Sequence, residues 1–264
     1  MKDILDNAVR IARLAGGVIK TMRNEKSFSE QLKFGYELVT SADMASNDMI
    51  ISEILKAYPQ HKIISEEIPQ SDLTINGPTW IIDPIDGTVG YANGHYNVCI
   101  SIAYADKGEV QVGVVYNPFL DELFYAVKGE GAFLNDAAIH AKDVSNLNEC
   151  VIATGFPHKK ENIAAITSFL TLLLPHIRDV RRNGSAALDY CWVACGRLQG
   201  YYEGSLSPWD MAAGRLIAIE AGATAGHYAM DITWSLPEDM NGYRILVSSP
   251  GIFDRMKSVL EGRD

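Results

Sequence analysis

The sequence predicts a layered α/β fold in which helices cover sheets and two halves share one cleft. Two observations carry this. The first 58 residues hold two helix-periodic segments, and strand-like segments follow from residue 61 to 127. After about residue 145, short strands alternate with helices to the end of the chain. With 264 residues and 47% hydrophobic content, there is ample core for one large domain or two intimately packed halves. The halves are read as 1–145, an α+β unit carrying most of the candidate ligands, and 146–264, an α/β unit that completes the cleft.

Residues 3–20 are helical by period, with Ile4, Leu5, Ala8, Ile11, Ala12, Ala15, Val18 and Ile19 on one face. Residues 41–58 form a second helix ended by Pro59, with Ile50, Ile51, Ile54 and Leu55 as its apolar stripe. Strands are predicted at 61–65, 79–83, 98–104, 110–116 and 122–127, with a hairpin turn at Asp106-Lys107-Gly108. Gly129-Glu130-Gly131 is a turn; it lacks the following glycine and helix of a dinucleotide fingerprint. Further strands are predicted near 150–154, 178–182, 199–203 and 244–248, and helices near 160–174, 185–196, 208–221 and 251–261.

Composition removes several function classes. A net charge of −10 disfavours a general nucleic-acid surface. No run is long and apolar enough to cross a membrane, and Met1-Lys2-Asp3-Ile4 does not open a secretion signal, so a cytoplasmic protein is expected. Cys99, Cys150, Cys191 and Cys195 read as small core residues, and the six histidines have no zinc-site spacing. Arg178, Arg181 and Arg182 form a basic cluster, readable as a solvated strand end or as a second anion site.

The informative stretch is Thr79-Trp80-Ile81-Ile82-Asp83-Pro84-Ile85-Asp86-Gly87-Thr88. A covered strand runs into two carboxylates, with Pro84 halting ladder pairing after Asp83. Gly87 lets the backbone approach a ligand. Such a segment is an ordinary turn or a magnesium and phosphate site. Other acids keep it company. Glu66 and Glu67 follow a short strand, while Asp43 and Asp210 open helices. Taken alone, Thr40-x-x-Asp43 and Ser207-x-x-Asp210 are capping patterns, and Pro208 suits a first helical position.

The chain resembles the inositol monophosphatase family of lithium-sensitive, magnesium-dependent phosphatases. The resemblance runs nearly end to end. It is carried by Glu37-Leu38-Val39-Thr40-Ser41-Ala42-Asp43, Ser65-Glu66-Glu67 and the Trp80–Thr88 run. Gly131-Ala132-Phe133-Leu134-Asn135, Gly184-Ser185-Ala186-Ala187 and Trp209-Asp210-Met211-Ala212-Ala213-Gly214 extend it. It implies an alternating αβαβα sandwich and a homodimer. It implies two magnesium ions, or three, held by Glu66, Asp83, Asp86, Asp210 and the Ile85 carbonyl. It also implies phosphate contacts from Gly87 and Thr88, substrate contacts from Ser185, Ala186, Glu203 and Asp210, and catalytic roles for Asp43, Thr88 and Glu66. Glu37 stands where many members carry Asp, and Lys33 is a weak match to an upstream lysine. Val89-Gly90-Tyr91 replaces a common Asn-Phe, and Ser207 sits where animal inositol enzymes place a histidine.

The chemistry expected is hydrolysis of a small sugar or inositol phosphate. Water activated by the metals attacks in line, with Thr88 and Asp43 orienting it and taking its proton. Such esters have very high barriers, with accelerations up to ~10²¹, which positioned charge must supply. Fructose 1,6-bisphosphate, 3'-phosphoadenosine 5'-phosphate and NADP are alternative substrates, favoured if Arg181 and Arg182 meet a second phosphate. Aspartate-nucleophile phosphatases have D-x-D-x-T where this chain has D-x-x-D-G-T, and a non-catalytic phosphate-binding regulator is the non-enzyme alternative. The expected partners are a small phosphorylated metabolite and a second copy, with no nucleic acid and no membrane.

Overall fold

The structure is a computed structural model that describes residues 1–70, 73–156, 163–229 and 237–263. Apolar residues spaced three and four apart produce α1 (Lys2–Asn24), which buries Ala8, Ile11, Ala12, Ala15 and Ile19. A hairpin of β1 (Glu30–Lys33) and β2 (Glu37–Thr40) leads into α2 (Ser41–Ala57). Next come β3 (Lys62–Ser65), β4 (Thr79–Asp86) and the short α3 (Thr88–Ala92). A meander follows, of β5 (Cys99–Asp106), β6 (Glu109–Asn117), β7 (Glu122–Val127), β8 (Ala132–Leu134) and β9 (Ala137–Ile139). Together β3 to β9 make a seven-stranded sheet in sequence order, parallel only between β3 and β4.

The second part supplies β10 (Val151–Thr154), α4 (Ile163–Leu173), β11 (Asp179–Arg181), α5 (Ala186–Ala194) and β12 (Gly200–Ser205). It ends with α6 (Pro208–Glu220), β13 (Thr224–His227), β14 (Tyr243–Ser248) and α7 (Phe253–Leu260). Its five strands order as β11-β10-β12-β14-β13.

Strand alternation then builds the layers. In β4, Trp80 and Ile82 face the cluster beneath α1 and α2, while Ile81 faces the cluster around α5 and α6. In β12, Tyr201 points to the α5 and α6 side and Tyr202 to a third cluster with Met256 and Val259 of α7. The order is helices, seven-stranded sheet, helices, five-stranded sheet, helices: the αβαβα sandwich that the resemblance implied. The central cluster draws residues from both sheets, so neither sheet completes its core without α5 and α6.

The long elements lie where the periodicity put them. The expected helix at 160–174 appears as Ile163–Leu173, and residues 160–162 lie outside the described residues. Pro84 does not end its strand. Pairing with β5 breaks after Asp83 and resumes at Asp86 opposite Cys99, so Pro84 sits in a bulge, where its missing N–H costs no ladder bond. Reading the sequence missed β1, β2, α3, β8, β9 and β13, all of six residues or fewer and short of a full period of pattern.

Gly113 of β6 lies under α6: a Cβ there would meet the Ala213 carbonyl oxygen at 2.6 Å. Gly113→Ala is therefore expected to lower unfolding free energy by about 1–3 kcal/mol, read by urea denaturation. An unchanged midpoint would mean that α6 can shift without loss.

Candidate active site

Carboxylates far apart in the chain meet in one cavity of about 370 Å³. Because β3 and β4 are parallel, their C-terminal ends lie at the same edge of the sheet. Glu66 leaves β3 there, its N–H donating to the Ile82 carbonyl at 3.2 Å, and its side chain meets that of Asp83. Asp83 Oδ1 accepts the Ile85 N–H at 3.0 Å, which holds the bulge. Past the bulge, Asp86 Oδ2 accepts from Ser185 Oγ and from the Ala187 N–H, both at 2.7 Å. Asp210 lies in the first turn of α6, its Oδ2 accepting the Ser207 N–H at 2.7 Å. Ser101, opposite Asp83 in β5, donates to the Trp209 carbonyl at 3.2 Å and fastens the start of α6 above the sheet.

The four carboxylates resist ionising together. Burial is the main cause at each. Glu66, Asp86 and Asp210 then push Asp83 well above its ordinary value, and Asp86 and Glu66 do the same to Asp210. Burial also raises Asp86, against its hydrogen bonds from Ser185 and Ala187. Glu66 is pushed up to about 8 by burial, opposed by Lys33 at 3.8 Å. The Lys33 ammonium also pairs with Glu67, whose side chain is 2% exposed, so the Glu66-Glu67 segment is no solvated loop. Lys33, the weak match in the sequence, thus ties the β1–β2 hairpin to the acidic wall.

Asp43 and Thr88 form the neighbouring pair. Thr88 Oγ1 lies 2.9 Å from Asp43 Oδ1 and 3.1 Å from the Ile85 carbonyl, donating to either. The other Asp43 oxygen, Oδ2, accepts from Thr40 N at 2.7 Å and Thr40 Oγ1 at 2.6 Å. Capping does not exclude a part in the site for either acid: Oδ2 caps the helix in both, while Asp210 lines the cavity and Asp43 Oδ1 accepts from Thr88, which lines it. Gly87, at φ +98°, turns the chain into α3, so the amides of Gly87 and Thr88 begin that helix, where N–H groups lack intrahelical acceptors.

Glu203, Ala186, Arg182 and Asp189 also line the cavity. Glu203 accepts a hydrogen bond from Tyr201, and burial pushes its carboxyl up to about 7. Ser185, expected at the substrate, spends its hydroxyl on Asp86 and caps α5 by accepting the Leu188 N–H at 3.3 Å. Of the two arginines expected at an anion, Arg181 pairs with Asp179 at 2.5 Å, and Arg182 lines the cavity. Asp189 was not anticipated. It is the one charged residue of the apolar run Ala186–Ala194, a signal the sequence did contain.

The match to a known family is extensive. The profile of the inositol monophosphatase family fits residues 1–259. The chain belongs to the inositol monophosphatase family. It is 39% identical over 255 residues to the Nus factor SuhB of Vibrio cholerae, covering 95% of this chain and 92% of that one. To the Nus factor SuhB of Escherichia coli K12 it is 40% identical over 239 residues, covering 87% and 89%. The structure of the Thermotoga maritima IMPase superposes with a TM-score of 0.87 at 31% identity, over 99% of this chain and 98% of that one.

Those SuhB relatives correct one expectation. Proteins so similar carry the name of a Nus factor, so a partner list closed at a metabolite and a second copy, with nucleic acid excluded, does not stand. The exclusion rested on the net charge of −10, and whole-chain charge does not describe a local surface or an assembly joined through other proteins. Among the described residues, no helix is long and apolar enough to cross a membrane.

The donor set fits magnesium. It offers only hard oxygen ligands, and its crowded negative charge calls for divalent cations. Among the described residues no three of these groups are already drawn into a closed cage.

Proton linkage makes this wall a stability switch. Glu66 binds its proton more tightly in the folded chain, with a value near 8 against an ordinary 4.5. The stability it contributes is full below about pH 4.5 and is lost as pH rises through 8. In chelator, the melting temperature should fall between pH 5 and 8, and Glu66→Gln should flatten that fall. A fall of equal size in the variant would assign it to other groups.

Proposed function

We propose that this chain is a magnesium-dependent phosphomonoesterase that hydrolyses a small sugar or inositol phosphate. The observation that carries the reading is the gathering of Glu66, Asp83, Asp86 and Asp210 beside the hydrogen-bonded pair Thr88–Asp43. Magnesium held by those four side chains and the Ile85 carbonyl would neutralise phosphoryl charge and activate the attacking water.

The remaining roles fall to the chain's own groups. The amides of Gly87 and Thr88 bind phosphoryl oxygens at the start of α3. With its proton directed at Asp43 Oδ1, Thr88 Oγ1 has lone pairs free to accept from a water. Asp43 then takes the proton, its position fixed by the two hydrogen bonds from Thr40. Burial raises the Asp43 carboxyl, while Thr40 and Thr88 oppose that rise, which suits a proton acceptor. Glu203 and Ala186 meet the organic part of the substrate.

The relatives named Nus factor SuhB favour a second reading, that this chain also serves as such a factor. An E. coli strain lacking SuhB separates the two. Rescue by both the wild-type chain and Asp83→Asn would support a factor role that does not need the carboxylate wall. Rescue by neither would remove this second reading.

The phosphatase reading is tested by phosphate release from inositol, fructose, phosphoadenosine and NADP substrates, with magnesium and with chelator. Release should require magnesium and be inhibited by millimolar lithium. Thr88→Ala and Asp43→Asn should each lower kcat by about 10²-fold or more while magnesium still binds by calorimetry. Near-normal turnover in either variant would remove that residue from the mechanism, and no release from any substrate would end the reading.

A further inference from the structure

Asp86 and Cys99 are paired across β4 and β5, because strand pairing resumes at this point after the bulge at Pro84. Paired residues on adjacent strands carry their side chains to the same face. The Cys99 thiol, wholly buried, therefore lies beside the Asp86 carboxylate, 3.8 Å from Oδ2. It lies nearer, at 3.4 Å, to the hydroxyl of Ser185, which caps the start of α5. The turn at Gly87 presses on the same segment: a Cβ there would meet the Gly184 carbonyl oxygen at 3.2 Å.

Counting donors and acceptors fixes where each proton goes. A carboxylate oxygen offers about two lone-pair sites. Asp86 Oδ2 fills both, with the Ser185 hydroxyl and the Ala187 N–H, each at 2.7 Å. Ser185 thereby gives up its only proton, and its Oγ keeps two acceptor sites. One takes the Leu188 N–H at 3.3 Å. The other faces Cys99, and in that contact only the thiol has a proton to donate. With every site on Ser185 occupied, its hydroxyl has no other direction than Asp86. With both Oδ2 sites taken, Oδ1 is the oxygen left to a cation.

We propose that Cys99 is a positioning residue for the magnesium site: its thiol proton locks the Ser185 hydroxyl onto Asp86 Oδ2 and so keeps Asp86 Oδ1 for the ion. This rests on the phosphatase reading only for the ion itself. Groups that hydrogen-bond a metal ligand fix its orientation and strengthen its hold on the metal. The link also crosses the molecule, with Cys99 and Asp86 in the seven-stranded sheet and Ser185 at the start of α5. Magnesium affinity thus depends on the contact between that sheet and α5. Cys99→Ala keeps an apolar group in the central cluster and removes only the thiol with its proton.

The test is magnesium titration by calorimetry on wild type, Cys99→Ala, Cys99→Ser, Ser185→Ala and the double variant Cys99→Ala/Ser185→Ala. Ser185→Ala should weaken magnesium binding about 10-fold or more. Cys99→Ala should weaken it about 3-fold, the worth of one S–H···O bond. Cys99→Ser keeps a donor and should bind as wild type does. Because Cys99 acts through Ser185, the double variant should bind no more weakly than Ser185→Ala alone. In the infrared spectrum without magnesium, the S–H stretch that Cys99→Ala removes should lie below that of a free thiol, as a donor's does. Unchanged affinity in Cys99→Ala, equal losses in Cys99→Ala and Cys99→Ser, or losses that multiply in the double variant would overturn the proposal. So would a stretch at the free-thiol frequency. A wild type that binds magnesium with the expected pattern of variants yet releases no phosphate would sink the phosphatase reading and leave this proposal standing. A wild type that binds no magnesium would end both.

Discussion

The constraint on which this structure depends is the crowding of four buried carboxylates at one edge of a sheet. Taking a charge out of water costs several kcal/mol even after the protein relaxes, and each acid raises the cost for the next. Of the described cations only Lys33 lies within ion-pair distance of the group. The folded chain therefore holds the wall together with groups that do not neutralise it: the bulge amide on Asp83, the α5 start on Asp86, the α6 start on Asp210. Stability is lost where ligand geometry is gained, a pattern common at functional sites.

The two sheets divide the labour. The seven-stranded sheet presents Asp83 and Asp86 on rigid backbone, and its parallel β3–β4 pair puts Glu66 beside them. The helices between the sheets carry Asp189 and Asp210, and the five-stranded sheet carries Glu203. The hairpin β1–β2 adds Lys33 at the edge while leaving Phe34 83% exposed at its tip.

Much of this was legible in the sequence. The long elements followed from period, and the acids stood out because strand ends and helix starts are where sites are built. Short elements escaped because four residues, as in β1 or β13, cannot establish a pattern. Capping and site function looked like rivals at Asp43 and Asp210 because the sequence does not separate the two oxygens of one carboxylate, and the structure does. Asp189 was overlooked because a lone acid in an apolar helix carries no spacing motif, although its neighbours Ala187 and Leu188 are wholly buried. The exclusion of nucleic acid failed for another reason: an average over the surface was used where only a local patch could decide.

The grip of Ser185 and Ala187 on Asp86 spans about a hundred residues of chain. During synthesis the acids of β4 leave the ribosome well before α5 exists. Until then Asp86 has no clasp, and the emerging strand carries clustered anions on a hydrophobic sheet whose other cover is also missing. The nascent first part is thus a sheet with one bare face, and chaperone capture or a translational pause ahead of residue 185 would act on that intermediate before the finished protein.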